Sequence, residues 1–378
     1  MSAQGQGAYE ALVIGAGIVG SACAWELART GLRVGVLEGD TVGSGATAAG
    51  MGQIVVMDDS PAEMALTRYS QLLWEDLVRE APERYEYTCP GTLWIAENEA
   101  EMALVERKHA AYRAHEVPSA VLDRATLYHR EPHLRPGLAG ALHVPGDSVV
   151  YPPVCAALLM EAARARGATL LQETAVRLVD GGVQVAGGSL VRGAIVVVAN
   201  GARAPELAPE LPVRPRKGHL AITDRYPGFI RHQLVELGYL SSAHAGSGDS
   251  VAFNIQPRKS GQLLIGSSRQ LGIASAEIDQ GILTRMLRRA IDYLPALERC
   301  SCLRIWTGLR AATADGLPLI GPHPARPGVW LATGHEGLGI TTALATARLL
   351  ADQVAGRVPA IAPEPYLPVR LGREALHA

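Results

Sequence analysis

The chain has 378 residues, 48% of them apolar and 19% charged, with 35 Lys and Arg against 37 Asp and Glu for a formal net charge of −2. This length suits two or three domains, or one interleaved pair, at roughly 150 residues each, and the apolar content excludes a disordered chain. So small a net charge gives no electrostatic reason to expect nucleic acid or an anionic membrane as partner.

The opening stretch MSAQGQGAYE lacks a basic region followed by an apolar one, so neither a signal peptide nor an anchor is expected. Ala11 to Ile14 form a short apolar run, read as a buried parallel strand. Gly15, Gly17 and Gly20 follow at G-x-G-x-x-G spacing. Val19, Ala22, Cys23 and Leu27 then recur at helical intervals, and Gly31 can end the helix. Val34 to Leu37 make a second strand that stops at Glu38. In such a strand–helix–strand unit the first glycine permits the tight turn and the second lets a pyrophosphate approach the backbone. The third lets the helix sit against the strand, and the acid accepts hydrogen bonds from ribose hydroxyls. The expected ligand is a dinucleotide touching Gly15, Gly17, Ile18, Val19, Gly20 and Glu38. The motif alone does not separate NAD from FAD.

Residues 42–55, VGSGATAAGMGQIV, are rich in small residues and too weakly patterned for a regular element. They are read as backbone laid closely against something flat. A helix follows at about Pro61 to Glu80, then a strand in GTLWIAE, a charged helix from Glu99 to His115, and a turn and helix ending at Gly167. ATLLQETAVRLV and AIVVVANGARA return to buried-strand character, the second through Ala194 to Val198 before Asn200 and Gly201. From about Pro215 to Arg299 strands alternate with turns, the texture of an antiparallel sheet with one covered face. Two textures alternating along the chain point to interleaved domains. Cys23, Cys89, Cys155, Cys300 and Cys302 form no regular framework, which suits a reducing compartment. Cys300 and Cys302 lack a second pair at metal-ligand spacing, so no metal is expected. No apolar run approaches the roughly 20 residues of a membrane helix, and the expectation is a cytoplasmic protein without a membrane span.

Near the end, Arg310 in TGLRAATADGLPLIGP sits in an almost neutral, apolar setting, with Asp315 as the closest acid in sequence. A salt bridge to Asp315 or a site anion can partner it, and a guanidinium grips a carboxylate through two parallel hydrogen bonds. The motif TGHEGLGITTALATA then crowds Gly334, Gly337 and Gly339 before a helix starting near Ile340, where free amides favour negative charge. His335 and Glu336 are the polar residues of this motif, and a histidine so placed also reads as a cap or packing residue.

Taken in order, the G-x-G-x-x-G with its acid, the small-residue loop, VVANGARA, GLRAATADGLPLIGP and GHEGLGITTA resemble the flavin-dependent amine oxidoreductases of the D-amino acid oxidase family. The resemblance covers nearly the whole chain. It lies nearest the branch of glycine oxidases and the flavoprotein subunits of opine oxidases, hydroxyproline dehydrogenases and hydrogen cyanide synthases. It implies an α/β (mixed α+β) fold in which a Rossmann-like FAD-binding domain (1–85, 140–214 and 300–378) is interleaved with a smaller antiparallel-sheet substrate domain (86–139 and 215–299). It also implies noncovalent FAD, since none of the five cysteines falls in a matching attachment motif.

By the same resemblance Ser44, Thr47, Ala48, Ala49, Gly50 and Met51 would run along the ribityl chain and flavin ring. Val176 would offer backbone contacts to the adenine, its alternative being a plain core valine, and Ala199 and Gly201 would flank the pyrophosphate. Gly337, Leu338, Gly339, Ile340 and Thr341 would face the N1–C2=O edge of the flavin. Arg310 falls at the family's carboxylate-binding position, whereas Gly337 stands where glycine oxidases carry a second arginine. His335 is the other candidate catalytic residue, with Met51, Tyr239, His244 and Glu336 as further substrate contacts.

The implied activity is oxidation of a small α-amino or α-imino acid, such as glycine, an N-alkylglycine, a D-amino acid or a D-hydroxyproline. Hydride passes from the α-carbon to flavin N5 and leaves an imine. The implied partners are that substrate and, for a dehydrogenase subunit, further chains or an electron-acceptor chain. Two alternatives stand beside it. An NAD(P)-dependent dehydrogenase leaves the loop at 42–52 and the last glycine motif without a role, and a noncatalytic flavoprotein subunit leaves Arg310 without one.

Overall fold

A computed structural model describes residues 8–238 and 248–371. The first strand, Tyr9–Ile14, pairs in parallel with Val34–Leu37 on one side and with Leu190–Val198 on the other. Its residues Ala11 to Ile14 are buried, as a strand covered on both faces requires. The sheet runs in the order 319–322, 329–333, 190–198, 9–14, 34–37, 169–171, with the hairpin 175–179 and 182–185 attached to 190–198. Ala11, Val13, Val34, Val36 and Val197 face the helices Ile18–Arg29, Pro152–Arg164 and Gly339–Val354. Leu12, Ile14, Leu37, Val196 and Val198 face the opposite way, onto Val183, Leu207 and Leu211.

A second sheet orders its strands 335–336, 302–312, 214–225, 262–271, 250–257, 233–236, 92–96, 140–144, 120–123. Its pairs are antiparallel except Gln233–Glu236 with Thr92–Ala96. Helix Gln280–Tyr293 covers one face, burying Leu283, Met286, Ala290 and Tyr293 against Phe253 and Ile265. The alternating strands and turns expected over 215–299 did not include this helix. Asp279 caps it by accepting from the Gly281 and Ile282 amides at 2.9 and 3.0 Å.

Strand Cys302–Ala312 pairs with Arg214–Arg225 along its length, although the expected boundary near residue 300 left it with the dinucleotide unit. The chain then crosses to the first sheet at Leu319–Pro322 and Val329–Thr333, and returns to the second at His335–Glu336. Residues 302–341 therefore thread the seam between the sheets, which brings Arg310, His335 and Glu336 to one place. Among the described residues no helix is long and apolar enough to cross a membrane.

Candidate active site

The first glycine motif builds a cradle out of backbone. Gly15 adopts φ +97°, and a Cβ there would stand 2.9 Å from the Ala199 carbonyl oxygen. A Cβ on Gly20 would stand 1.9 Å from the Gly15 carbonyl oxygen, so the helix can lie on the turn only where residue 20 lacks a side chain. The Ile18 amide donates to Thr47 Oγ1 at 3.0 Å. The amides of Ala16 and Asp40 donate to the two Glu38 carboxylate oxygens at 2.7 and 2.9 Å. Glu38 is thus held at the end of the second strand, beside amides that the helix start leaves without intrahelical acceptors.

From this cradle a continuous cavity of about 730 Å³ extends to the second sheet. Gly15, Gly17, Ile18, Val19, Glu38, Ala199 and Gly201 line its first part. Ser44, Thr47, Ala49, Gly50 and Met51 line the middle, and Arg310 with His335 through Thr341 line the far part. Three residues expected at the ligand do not border it. Gly20 serves helix packing, Ala48 is exposed, and Val176 is 47% exposed while Glu173, Thr174 and Ala175 form that end of the wall. Tyr239 and His244 lie outside the described residues.

The loop at 42–52 is wedged between the last helix and the second sheet. A Cβ on Gly50 would stand 2.5 Å from Ile340 Cδ1, and one on Gly308 would stand 2.6 Å from Ala49 Cβ. Trp306 Nε1 donates to the Ala49 carbonyl at 3.3 Å. Trp74 Nε1 donates to the Ile340 and Thr341 carbonyls at 3.1 Å each, and Thr341 Oγ1 donates to the Gln53 carbonyl at 2.9 Å. The first turn of Gly339–Val354, whose amides have no intrahelical acceptors, is therefore fixed against the cavity. Two helix starts at opposite ends of one cavity, with glycine wherever backbone comes close, fit a dinucleotide that ends in a flat ring.

Arg310 reaches across the second sheet. Its Nη1 donates to the Ser268 carbonyl at 2.9 Å, and a Cβ on Gly218 would stand 2.6 to 2.8 Å from its guanidinium atoms. Asp315 pairs with Arg370 instead, at 2.8 Å. Among the described residues Arg310 makes no ion pair within 4.0 Å, and Arg310 lines the cavity. Glu336 adopts φ +50°, a left-handed conformation that a side chain rarely takes. Its Oε1 accepts from Arg216 Nη1 at 3.1 Å and lies 4.0 Å from Arg269 Nε. Burial pushes the Glu336 carboxyl up, but Arg310, Arg269 and Arg216 outweigh it and hold the carboxyl below its ordinary value.

His335 is buried, with Nε2 3.0 Å from Thr346 Oγ1 inside the last helix. Burial pushes its pKa down to about 3, so the imidazole is neutral at physiological pH. Gly218, Ser268, Arg216 and Arg269 were not singled out in the sequence. Gly218 did carry a signal, as a glycine inside the strand RKGHLAITD. Among the described residues no three or more His, Cys, Asp or Glu side chains are grouped to hold a metal ion.

The sequence model of the DAO family, described as FAD dependent oxidoreductase, matches residues 10–353. Glycine oxidase of Geobacillus kaustophilus is 31% identical over 362 residues, covering 92% of this chain and 93% of its own length. Glycine oxidase of Pseudomonas aeruginosa is 32% identical over 377 residues, covering 94% and 98%. The crystal structure of the G. kaustophilus enzyme aligns with a TM-score of 0.86 at 28% identity, over 96% of this chain and 98% of that one. A family match across the chain, joined to relatives aligned over almost their whole length, gives one assignment: the chain belongs to the DAO family of FAD dependent oxidoreductases, and FAD is the dinucleotide its cavity holds.

Proposed function

We propose that this enzyme oxidises a small α-amino or α-imino acid at its α-carbon, with Arg310 holding the carboxylate. The observation that carries this reading is the placement of Arg310. Arg310 lines the cavity at the seam of the two sheets, and its guanidinium is braced by Gly218 and the Ser268 carbonyl and is not taken by Asp315. A cation so placed is costly without an anion, and a carboxylate satisfies it with two parallel hydrogen bonds. The names of the glycine oxidase relatives agree with such a substrate.

When bound, FAD supplies the two-electron acceptor for oxidation of the α-carbon to an imine. The chain's own residues orient and polarise. Gly15, Gly17 and Val19 at the helix start would receive the pyrophosphate, while Glu38 stands at the ribose end. The amides at 339–341 and the positive end of their helix stabilise negative charge at the ring. None of the five cysteines borders the cavity, which supports noncovalent binding. His335, neutral and bonded to Thr346, acts as a positioning residue that ties the Glu336–Gly337 turn to the last helix.

Anaerobic mixing of the yellow holoprotein with amino acids and their amides tests this reading. Bleaching of the flavin by α-amino or α-imino acids, and not by the corresponding amides, is expected. Equal bleaching by acids and amides would remove the carboxylate clamp from the account.

A further inference from the structure

Among the described residues, the titratable side chains lining the far part of the cavity are Arg310, His335 and Glu336. None of them can accept and keep a proton at neutral pH. His335 is neutral with a pKa of about 3, Glu336 is held ionised by its arginines, and Arg310 is already charged. An amino acid in water carries its amine as an ammonium group, and the nitrogen needs a free lone pair before the α-carbon can give up hydride. Under the amine-oxidation reading, on which this inference rests, a proton has to leave by another route.

The second sheet supplies a polar row leading away from the cavity. Asn254 and Gln53 both line the cavity and exchange side-chain hydrogen bonds at 3.2 and 3.3 Å. Gln256 follows two residues along the strand and so shares the face of Asn254, while Phe253 and Ile255 point the other way, under helix Gln280–Tyr293. Register puts Gln233 opposite Gln256, one step beyond the Leu234–Ile255 pair, and Thr92 beside Gln233. The short ribbon of Gln53–Ile54 and Ser148–Val149 crosses over this row. Gln256 Nε2 donates to the Met51 carbonyl at 2.6 Å, and Gln233 Nε2 to the Ser148 carbonyl at 3.5 Å. Asp147 ends the row: its Oδ1 accepts from the Val56 amide at 3.3 Å and from Gln71 Nε2 at 3.4 Å.

Thr92, Asp147, Gln233 and Gln256 are all 0% exposed. Each glutamine has committed its amide nitrogen to a carbonyl and presents its oxygen as an acceptor. Neither Oε1 atom, nor Asp147 Oδ2, receives a hydrogen bond of normal length from the described residues. Buried acceptors are rarely left so, and water is the donor that suits a sealed seam with several acceptors in line. Burial pushes the Asp147 carboxyl up to about 7, against the Thr92 hydroxyl, the Val56 amide, Lys108 and Gln71, which favour its ionised form. Of the other groups around it, Lys108 is paired with Asp58, and burial pushes Tyr87, Cys89 and Tyr112 up, so they stay uncharged. Asp58, Asp59 and Glu63 also act on Tyr112. Glu63, pushed up to about 8 first of all by burial, is the rival proton holder that the experiment has to separate.

We propose that this row holds a file of ordered water running from the cavity to Asp147, and that Asp147 takes the proton which the substrate's ammonium group loses. The N–H bond breaks with its electron pair left on nitrogen, and the proton adds to the Asp147 carboxylate. An ammonium and a carboxylate thus become an amine and a carboxylic acid. The nitrogen lone pair then forms the C=N bond as the α C–H electron pair leaves toward bound FAD. Asp147 returns its proton along the file once the product has gone.

The test follows anaerobic flavin reduction of the holoprotein by amino acids from about pH 5 to about pH 10, the span of the groups involved. The wild-type limiting rate is expected to rise with pH through an inflection near 7. Asp147→Asn keeps the side chain's shape; it is expected to lose the inflection and to be slower by at least about ten-fold at pH 7. It should regain the wild-type rate at alkaline pH, where solution already supplies the neutral amine. Gln233→Leu, which interrupts the row between its ends, is expected to behave alike, and Glu63→Gln to keep the wild-type profile. A wild-type rate without an inflection near 7 overturns the proposal whether or not the variants fold. So does an inflection that survives in Asp147→Asn or Gln233→Leu, or a loss of rate in them that alkaline pH does not repair. If amino acids bleach the flavin with a flat profile, the oxidation reading stands and the relay falls. If none bleaches it at any pH, the oxidation reading falls and the relay falls with it.

Discussion

Arg310 lies flat across Gly218, so close that a Cβ on residue 218 would stand 2.6 Å from Nη2 and 2.8 Å from Cζ of the guanidinium. A glycine on one strand therefore sets the position of a cation on the next. Gly218→Ala should displace only the flexible end of Arg310 and leave folding and FAD content intact. A misplacement of about 1 Å can cost up to about 100-fold in rate, so kcat/KM for a carboxylate substrate should fall by at least an order of magnitude. Steady-state kinetics beside flavin content checks this; unchanged kcat/KM would show that Arg310 does not depend on Gly218.

The glycines of the first motif do different jobs and should fail differently. At Gly20 an added Cβ would overlap the Gly15 carbonyl oxygen at 1.9 Å, backbone against backbone, whereas at Gly17 it would meet only Thr47 Oγ1 at 3.1 Å. Gly20→Ala should destabilise the apoprotein by about 3 kcal/mol or more, the upper range for overpacking. Gly17→Ala should keep the apoprotein folded and weaken FAD binding, because its cost falls on the cavity. Urea unfolding of both apoproteins, with FAD titration, separates the two outcomes.

Local features were legible in the sequence because they are written in consecutive residues. The strand at 9–14, the helix it feeds and the strand at 34–37 followed from an apolar run and three spaced glycines. Helix Gln280–Tyr293 was also present in the sequence: its apolar residues Ile282, Leu283, Met286, Ala290 and Tyr293 recur at helical spacing behind an aspartate cap. The flanking strands drew it into their own texture. The grouping of Arg216, Arg269, Arg310 and Glu336 had no local trace, because strand register and a left-handed turn assemble it from positions up to 120 residues apart.

His335 gives the protein an acid-sensitive element. Burial drives its pKa from an ordinary 6.5 to about 3, so the folded state refuses a proton that the unfolded chain accepts. Its contribution to stability is therefore intact above about pH 6.5 and is lost as the pH falls toward 3. His335→Gln, which retains a polar group facing Thr346, should be less stable than wild type at pH 7.5, and the gap should narrow at pH 5. Unfolding free energies of the two holoproteins at both pH values measure this. A gap that stays constant with pH would place the proton elsewhere.

The central claim is that Arg310 binds the substrate carboxylate while FAD sits in the same cavity. Rapid anaerobic mixing of wild-type and Arg310→Ala holoproteins with a reducing amino acid, read by loss of flavin absorbance, addresses it most directly. Removing a charged, bidentate partner costs about 3 kcal/mol or more, so the variant should stay yellow with normal FAD content. Its substrate concentration for half-maximal reduction rate should rise at least about 100-fold. Reduction of the variant at the wild-type rate and concentration dependence would contradict the account.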